Sequence, residues 1–336
     1  MEIKQFIGVD VSKSTLDFAL AEQGKVIYHM RVENTPQGIG SFIKAIKKGF
    51  SFDVKQGMFC MEHNGIYNNI LLKFLMETGA NIWVESALQI KQSLGMIRGK
   101  NDKADSGRIA LYAYKNKENF KAWQPPRQVI SQIKQLLVVR NRIIEAIHQL
   151  ETPVGKDAQI FMPKDQLKNI RKCCIASIKA MKQDLKTVTK QIEELGKKDE
   201  QLNRLFKIVM SVDGVGLITA AILIVATNEF KNFANAKKFA CYAGVVPFEY
   251  SSGSSIRGKS RVSHIANKTV KKALHLAILT GIRKKGEFRQ YYERKVAEGK
   301  HKMSVINAIR NKLILRIFAC VRENRLFEKK YSYLLA

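Results

Sequence analysis

Five cysteines occur in the 336 residues, Cys60, Cys173, Cys174, Cys241 and Cys320, and no two of them have the short spacing of a zinc knuckle or finger. Their odd number and lack of pattern read as reduced cytosolic thiols that mostly pack. Long apolar runs are also missing. The longest, Val215 to Ala226, is too short to span a bilayer even though only Thr219 interrupts it. The start, MEIKQFIGVDV, has no signal-peptide pattern and runs straight into a strand. Convincing Gly-rich phosphate loops are absent from the second half, which disfavours a sugar-kinase-like ATPase despite the opening G-x-D strand. The expectation is a soluble cytoplasmic protein with no membrane partner.

Acidic residues are scarce as well: 29 against 58 Lys and Arg, for a formal charge of +29. The excess is uneven. Residues 1–126 carry 17 basic and 12 acidic groups, 127–205 carry 16 and 9, and 254–330 carry 21 and 5. A solubility device does not need that concentration, whereas a phosphate-binding surface does. With 46% hydrophobic residues the chain can still fill two or three cores.

Against that background four carboxylates stand in apolar or glycine-rich settings. Asp10 lies in FIGVDVSK, Glu62 in MFCMEHNGIY, and Asp102 and Asp105 in RGKNDKADSGR. In a helix the last two share one face, where like charges repel. At a helix N-terminus they would instead simply complement the dipole. If the fold gathers all four, it builds a site that only bound cations neutralise, inside a molecule that attracts polyanions. That combination points to metal-dependent phosphodiester chemistry on nucleic acid.

The first segment, 1–126, reads as α/β. Strands are predicted at 6–11, 15–20, 25–32, 55–62 and 81–84, with helices at 37–48 and 67–78. Three meandering strands followed by helix–strand alternation match a ribonuclease-H-like order, with Asp10 and Glu62 at or near strand ends. Residues 127–205 change to long helices. Ile130, Ile133, Leu137, Arg140, Ile144 and Ile147 step by 3 and 4, as do Cys174, Ile178, Met181, Leu185, Val188, Ile192 and Leu195. This is a coiled-coil seam, within the chain or between subunits, that serves as connector and oligomerisation region. Residues 206–336 open on SVDGVGLITAAILIVA, which reads either as a helix-hairpin-helix-like turn for a DNA phosphate or as a tight turn before a buried helix. The following FACYAGVVPFEYSSGSSIRGKSRVS favours a mobile or anion-wrapping loop, with Arg257, Lys259 and Arg261 close behind its serines. Basic helices follow, with Lys268, Lys271 and Lys272 at the start of the first. These six cations are the nucleic-acid-binding candidates. His29, His148 and His301 read as surface or helix-face residues, and His63, beside Glu62, as a side chain placed to orient a carboxylate or touch substrate.

The chain resembles the DEDD-type insertion-sequence transposases, a family that includes Piv-like DNA invertases and bridge-RNA-guided recombinases. The likeness rests on IGVDVSKSTLDFAL, VENTPQG, MEHNGIY and KNDKADSGRIALYA in the first third. DGVGLITAAIL, EFKNFANAKKFACYAGVVPFEYSSG and KMSVINAIRNKLILRIFA carry it in the last. The resemblance implies a resolvase-like metal site at Asp10, Glu62, Asp102 and Asp105, and a nucleophilic serine before glycine. Ser252, directly before Gly253, fits best; Ser251 is the alternative. Asp213 replaces the proline usual in the family's P-G-[IV]-G turn, and 262–271 departs from the usual I-S-K-R-G-N-x-x-L-R.

What the resemblance implies is a transposase of an insertion sequence that cleaves and rejoins double-stranded DNA at donor and target sites. Two Mg²⁺ ions, for which Mn²⁺ can substitute, would sit on the tetrad, and the serine would hold a phosphoserine-linked intermediate. Exchange between two duplexes requires a homodimer or homotetramer. Since no base-reading motif is present, a structured guide RNA is expected to supply target choice, in a nucleoid-associated prokaryotic setting. The rival readings are a metal-dependent nuclease or Holliday-junction resolvase that uses water, a DNA invertase without guide RNA, and a binding protein with a dead site.

Overall fold

The computed structural model describes residues 3–93, 101–152, 160, 162–252, 256–263 and 265–328. The connector around Pro153, Gly253 to Ser255, His264, and the first three residues of RGKNDKADSGR lie outside the described residues. Two compact units divide the chain at Pro125 and Pro126. Among the described residues, no helix is long and apolar enough to cross a membrane.

The first unit is a five-stranded mixed sheet in the order β3-β2-β1-β4-β5, a ribonuclease-H-like arrangement. Its strands are β1 (Gln5–Val11), β2 (Thr15–Glu22), β3 (Lys25–Glu33), β4 (Gly57–Glu62) and β5 (Asn81–Glu85). β1, β2 and β3 meander antiparallel, and β4 and β5 continue parallel to β1. The sheet is apolar on both faces because both are covered. On one face Ile7, Val9, Leu16, Phe18 and Leu20 pack with α1 (Pro36–Phe50) and α2 (Asn69–Glu77). Here the Phe18 and Phe42 rings stack at 4.1 Å. The periodicity of Ile39, Phe42, Ile43 and Ile46 supplies the buried stripe of α1, and Thr35 caps it by accepting from the Gly38 amide. On the other face Phe6, Ala19, Met58, Cys60 and Trp83 meet Ile109, Ala110, Tyr112 and Ala113. The last four come from α4 (Asp102–Lys115), which follows a short α3 (Ala87–Ser93).

In the second unit α5 (Gln128–Glu151) and α6 (Lys164–Lys198) pack against each other. Ile130, Ile133, Leu137, Val188 and Ile192 belong to the same apolar cluster as α7 (Glu200–Ser211) and α8 (Leu217–Thr227). Arg127 ties this end together: its guanidinium meets Asp199 at 2.6 Å and donates from Nε to Glu229 at 3.0 Å. The D-G-V-G turn between α7 and α8 packs at Gly214 against Ala277 and Gly281.

Beyond α9 (Ala236–Tyr242) the chain departs from the expected loop. Pro247–Ser252 and Ile256–Val262 form an antiparallel hairpin, β6 and β7, with an irregularity between Phe248 and Tyr250. Backbone pairing needs no apolar alternation, so a Ser-, Gly- and Arg-rich composition conceals it. Three helices follow: α10 (Lys268–Arg283), α11 (Glu287–Ala297) and α12 (Lys302–Arg322). Cys60 and Cys320 are buried, Cys174 and Cys241 half-buried, and Cys173 exposed, all as free thiols.

Candidate acidic centre and serine hairpin

A glycine decides the geometry of the acidic centre. A Cβ at Gly8 would lie 2.1 Å from the Ser106 carbonyl oxygen and 2.2 Å from the Ala110 nitrogen, so glycine alone lets the backbone of α4 rest on β1. Two residues along β1, on the same face, stands Asp10. The first turn of α4, just N-terminal of this contact, carries Asp102 and Asp105. Asn101 caps that turn by accepting from the Ala104 amide at 2.7 Å. Glu62 ends β4 on the face shared with Met58 and Cys60, which is also the α4 face.

The residues after Glu62 stitch the strand ends together. Asn64 donates to the Val11 carbonyl at 2.7 Å, tying the exit of β4 to that of β1. Asn68 donates to the Glu62 carbonyl and accepts from the Asn64 amide, both at 2.8 Å. From VENTPQG, buried Asn34 donates to the carbonyls of Ser12 and Tyr67, each at 3.0 Å. Much of MEHNGIY and VENTPQG therefore serves to hold the acids in place.

Burial pushes the Asp10 carboxyl up to about 6, and the charges of Asp102, Asp105, Glu62 and Asp17 push it the same way. The other three sequence-predicted acids are thus near enough for their charges to act on Asp10, and Asp17 is a fifth. Asp17, buried on β2, pairs in register with Asp10. Its carboxylate meets His29 Nε2 at 3.0 Å and Arg31 Nε at 3.5 Å. Arg31 also reaches Asp102 at 3.1 Å, while Arg108 holds Asp105 at 2.6 Å. His29 is thus a half-buried strand residue at the centre rather than a surface histidine. The sequence does not point to Asp17, His29 and Arg31 as a group, because the pairing of β2 with β1 and β3 joins them rather than a pattern within one strand. The register Asp10–Asp17–Arg31 appears only once the strands pair. Exposed His63 accepts at Nδ1 from the Gly65 amide at 3.3 Å.

The donors are hard carboxylate oxygens whose charges repel, and such a set suits Mg²⁺ or Mn²⁺. With Asp102 and Asp105 engaged by arginines, the cluster is not a closed ligand shell. Among the described residues, no group of three or more His, Cys, Asp and Glu is arranged to hold an ion.

The second unit carries the other candidates. Ser252 is the last residue of β6, opposite Ile256, and Ser251 pairs with Arg257. Arg257, Lys259 and Arg261 lie along β7, and Arg261 is exposed. Lys268, Lys271 and Lys272 occupy the start of α10, which Asn267 caps by accepting from the Val270 amide at 3.0 Å. Lys268 and Lys272 are exposed and Lys271 half-buried.

Comparison with known proteins connects both halves. Residues 7–154 match a model of DEDD-type transposases, and residues 206–293 match the Transposase IS116/IS110/IS902 family. The pilin gene-inverting protein of Moraxella bovis is 26% identical over 331 residues, covering 97% of this chain and 98% of that protein. The transposase for insertion sequence element IS1111A of Coxiella burnetii is 22% identical over 319 residues, 82% of each chain. An IS110 insertion-element protein of Streptomyces coelicolor is 32% identical over 124 residues, 37% of this chain and 30% of that one. With both family segments in order and two relatives aligned over most of their length, the chain belongs to the DEDD-type IS110/IS902 family of transposases and invertases and is a DNA recombinase.

Proposed function

We propose that this recombinase performs site-specific strand exchange by joining two chemistries. Acids near the ends of β1 and β4 and on the first turn of α4 would engage the scissile phosphate through divalent ions, and a serine on the hairpin takes over the cut strand. The observation that carries the reading is the convergence of Asp10, Glu62, Asp102 and Asp105 in a chain that aligns nearly end to end with a gene-inverting protein. These four carboxylates would hold Mg²⁺, which would supply Lewis-acid stabilisation of charge on the phosphate. Carboxylates that repel one another also repel phosphate, so their charge must be offset before a phosphate can approach. Ser252, with Ser251 the alternative, attacks phosphorus and displaces the 3′ or 5′ oxygen. The hydroxyl proton leaves with that oxygen or to solvent, and the phosphoserine bond keeps the energy that hydrolysis would discard. Arg257, Lys259, Arg261, Lys268, Lys271 and Lys272 bind the DNA backbone. Exchange between two duplexes needs two such sites, hence a homodimer or homotetramer on DNA. We assign 1–126 to metal chemistry, 127–205 to assembly and 206–336 to the serine and DNA.

Inversion between directly recognised sites is the favoured form, because the gene-inverting relatives cover almost the whole chain. An RNA-guided form is the second reading, for which the basic surplus of 127–205 and 254–330 offers a phosphate-binding surface. Labelled DNA tested for a covalent adduct separates these chemistries from simple hydrolysis. Asp10→Ala is expected to abolish cleavage with DNA affinity kept, since nonspecific binding resides in the basic surface. Ser252→Ala is expected to abolish the adduct while Ser251→Ala retains it. Adduct-free nicking by wild type would establish the nuclease reading instead. Sequencing nucleic acid copurified with the active protein distinguishes a discrete RNA from direct DNA recognition.

A further inference from the structure

Buried in α12 is a cation with no obvious reason to be there. Arg310 is only 5% exposed, and among the described residues no carboxylate pairs with it. Its partners are neutral groups: Nη2 meets His275 Nδ1 at 2.6 Å, and Nη1 meets Asn307 Oδ1 at 3.3 Å. Its Nε has no hydrogen-bond partner. A guanidinium has donors only, so His275 accepts at Nδ1 in its neutral form and carries its proton on Nε2. Burying such a charge without a counter-ion is unfavourable, and apolar side chains fill comparable places at no penalty. Arg310 is therefore retained for something other than stability.

What it controls is the amide of Asn307. Because Arg310 can only donate, it fixes the oxygen of that amide toward itself, and this turns the NH₂ toward the Val245 carbonyl, 2.6 Å away. Val245 is where the chain leaves α9 for the hairpin. Gly244 at φ +64 makes the turn, and the Val245 amide bonds back to the Ala240 carbonyl at 3.1 Å. Beyond β7 the hairpin is held at its other foot: the Asn267 amide donates to the Tyr242 carbonyl at 2.9 Å, and its side chain to the Tyr242 hydroxyl at 2.6 Å.

We propose that Arg310, His275 and Asn307 form a positioning relay that sets the entry of the β6–β7 hairpin and thereby the placement of its serine. The relay spans α10 and α12 and acts on the backbone, two residues before β6 begins. It rests on the serine reading for its catalytic consequence but not for its structural one.

Two full-length variants test it. Arg310→Met removes the buried charge and keeps the volume. Asn307→Asp keeps a partner for Arg310 and loses the donor to Val245. Both are expected to melt at or above the wild-type temperature and to bind DNA with unchanged affinity. Hydrogen exchange at amides 248–252 and 256–262 should rise at least about fivefold, with α10 and α12 unchanged. The rate of adduct formation should fall at least about tenfold, since small misplacements near a reacting group are costly. A purely structural Arg310 would instead lower the melting temperature of Arg310→Met and leave hairpin exchange at the wild-type rate, and that result overturns the proposal. Should Arg310→Met not fold, Asn307→Asp decides alone by the same exchange criterion. If wild type forms no adduct, the serine reading fails, and hairpin exchange still judges the relay.

Discussion

At the scale of single residues, Asp10 bears most of the acidic centre's electrostatic tension. Burial and four neighbouring carboxylates lift its pKa to about 6 from the ordinary 3.8. A carboxyl raised in the folded state binds its proton there more readily than in the unfolded chain. Folding is therefore favoured at low pH and loses that contribution as pH rises from about 4 to about 6. Above that window the repulsion is fully present, and a bound divalent cation would relieve it. Asp10→Asn is expected to remove this slope and to melt a few degrees above metal-free wild type at pH 8. Mg²⁺ is expected to raise the melting temperature of wild type, and the same variant should lose that rise. Scanning both proteins from pH 4 to 8, with and without Mg²⁺, checks this; a lower-melting Asp10→Asn that keeps its Mg²⁺ response would remove Asp10 from the site. Of the centre, its four acids were legible because each stands out against apolar or glycine-rich neighbours. Asp17, His29 and Arg31 were not, because their meeting is a matter of strand register. Asp17 looks like an ordinary surface residue of an alternating strand until β1 and β3 flank it.

Among the elements, the contact between β1 and α4 assembles the site. Gly8→Ala places a methyl group on the α4 backbone rather than on a yielding side chain, so the helix must shift. The expected loss is about 1–3 kcal/mol of stability in urea unfolding, the usual range for overpacking. Metal affinity should fall with it, because Asp102 and Asp105 ride on the displaced turn. Gly49→Ala in α1, where a Cβ meets nothing within 4 Å, is the matched control and should cost neither. Equal behaviour of the two variants would show that α4 does not set the acids. Most of the first unit is legible in the sequence: all five strands and both α1 and α2 stand close to where the sequence places them, although β3 carries no clear alternation. Other elements are not, α4, α9 and α11 among them, and two show why. α3 has only about two turns and a single buried residue, Ile90, too little to register as a period. The β6–β7 hairpin is a backbone ladder that runs through serines and arginines, and its entry meets Asn307, distant in sequence from the strands.

For the whole molecule the governing quantity is charge, +29 in total and concentrated toward the C-terminal third. Its consequence is an affinity that depends steeply on salt, since each neutralised DNA phosphate releases a counterion. The start of α10 offers a specific test. Lys268, Lys271 and Lys272 follow the i, i+3, i+4 spacing that puts side chains on one helical face, and the first and last are exposed. If all three meet phosphates, Lys268→Ala, Lys271→Ala and Lys272→Ala together should reduce the slope of log affinity against log salt by about 2–3. The loss should be nearly equal for recombination-site DNA and unrelated duplex, because phosphate contacts position without reading sequence. Cleavage at low salt should persist, as the acids are untouched. Titration of labelled duplex over a range of salt concentrations measures the slope directly. An unchanged slope would remove this helix from the DNA interface, and a loss confined to the recombination site would make it a reader of sequence. In that case the basic surplus would need to be sought instead along β7 and the helices of 127–205.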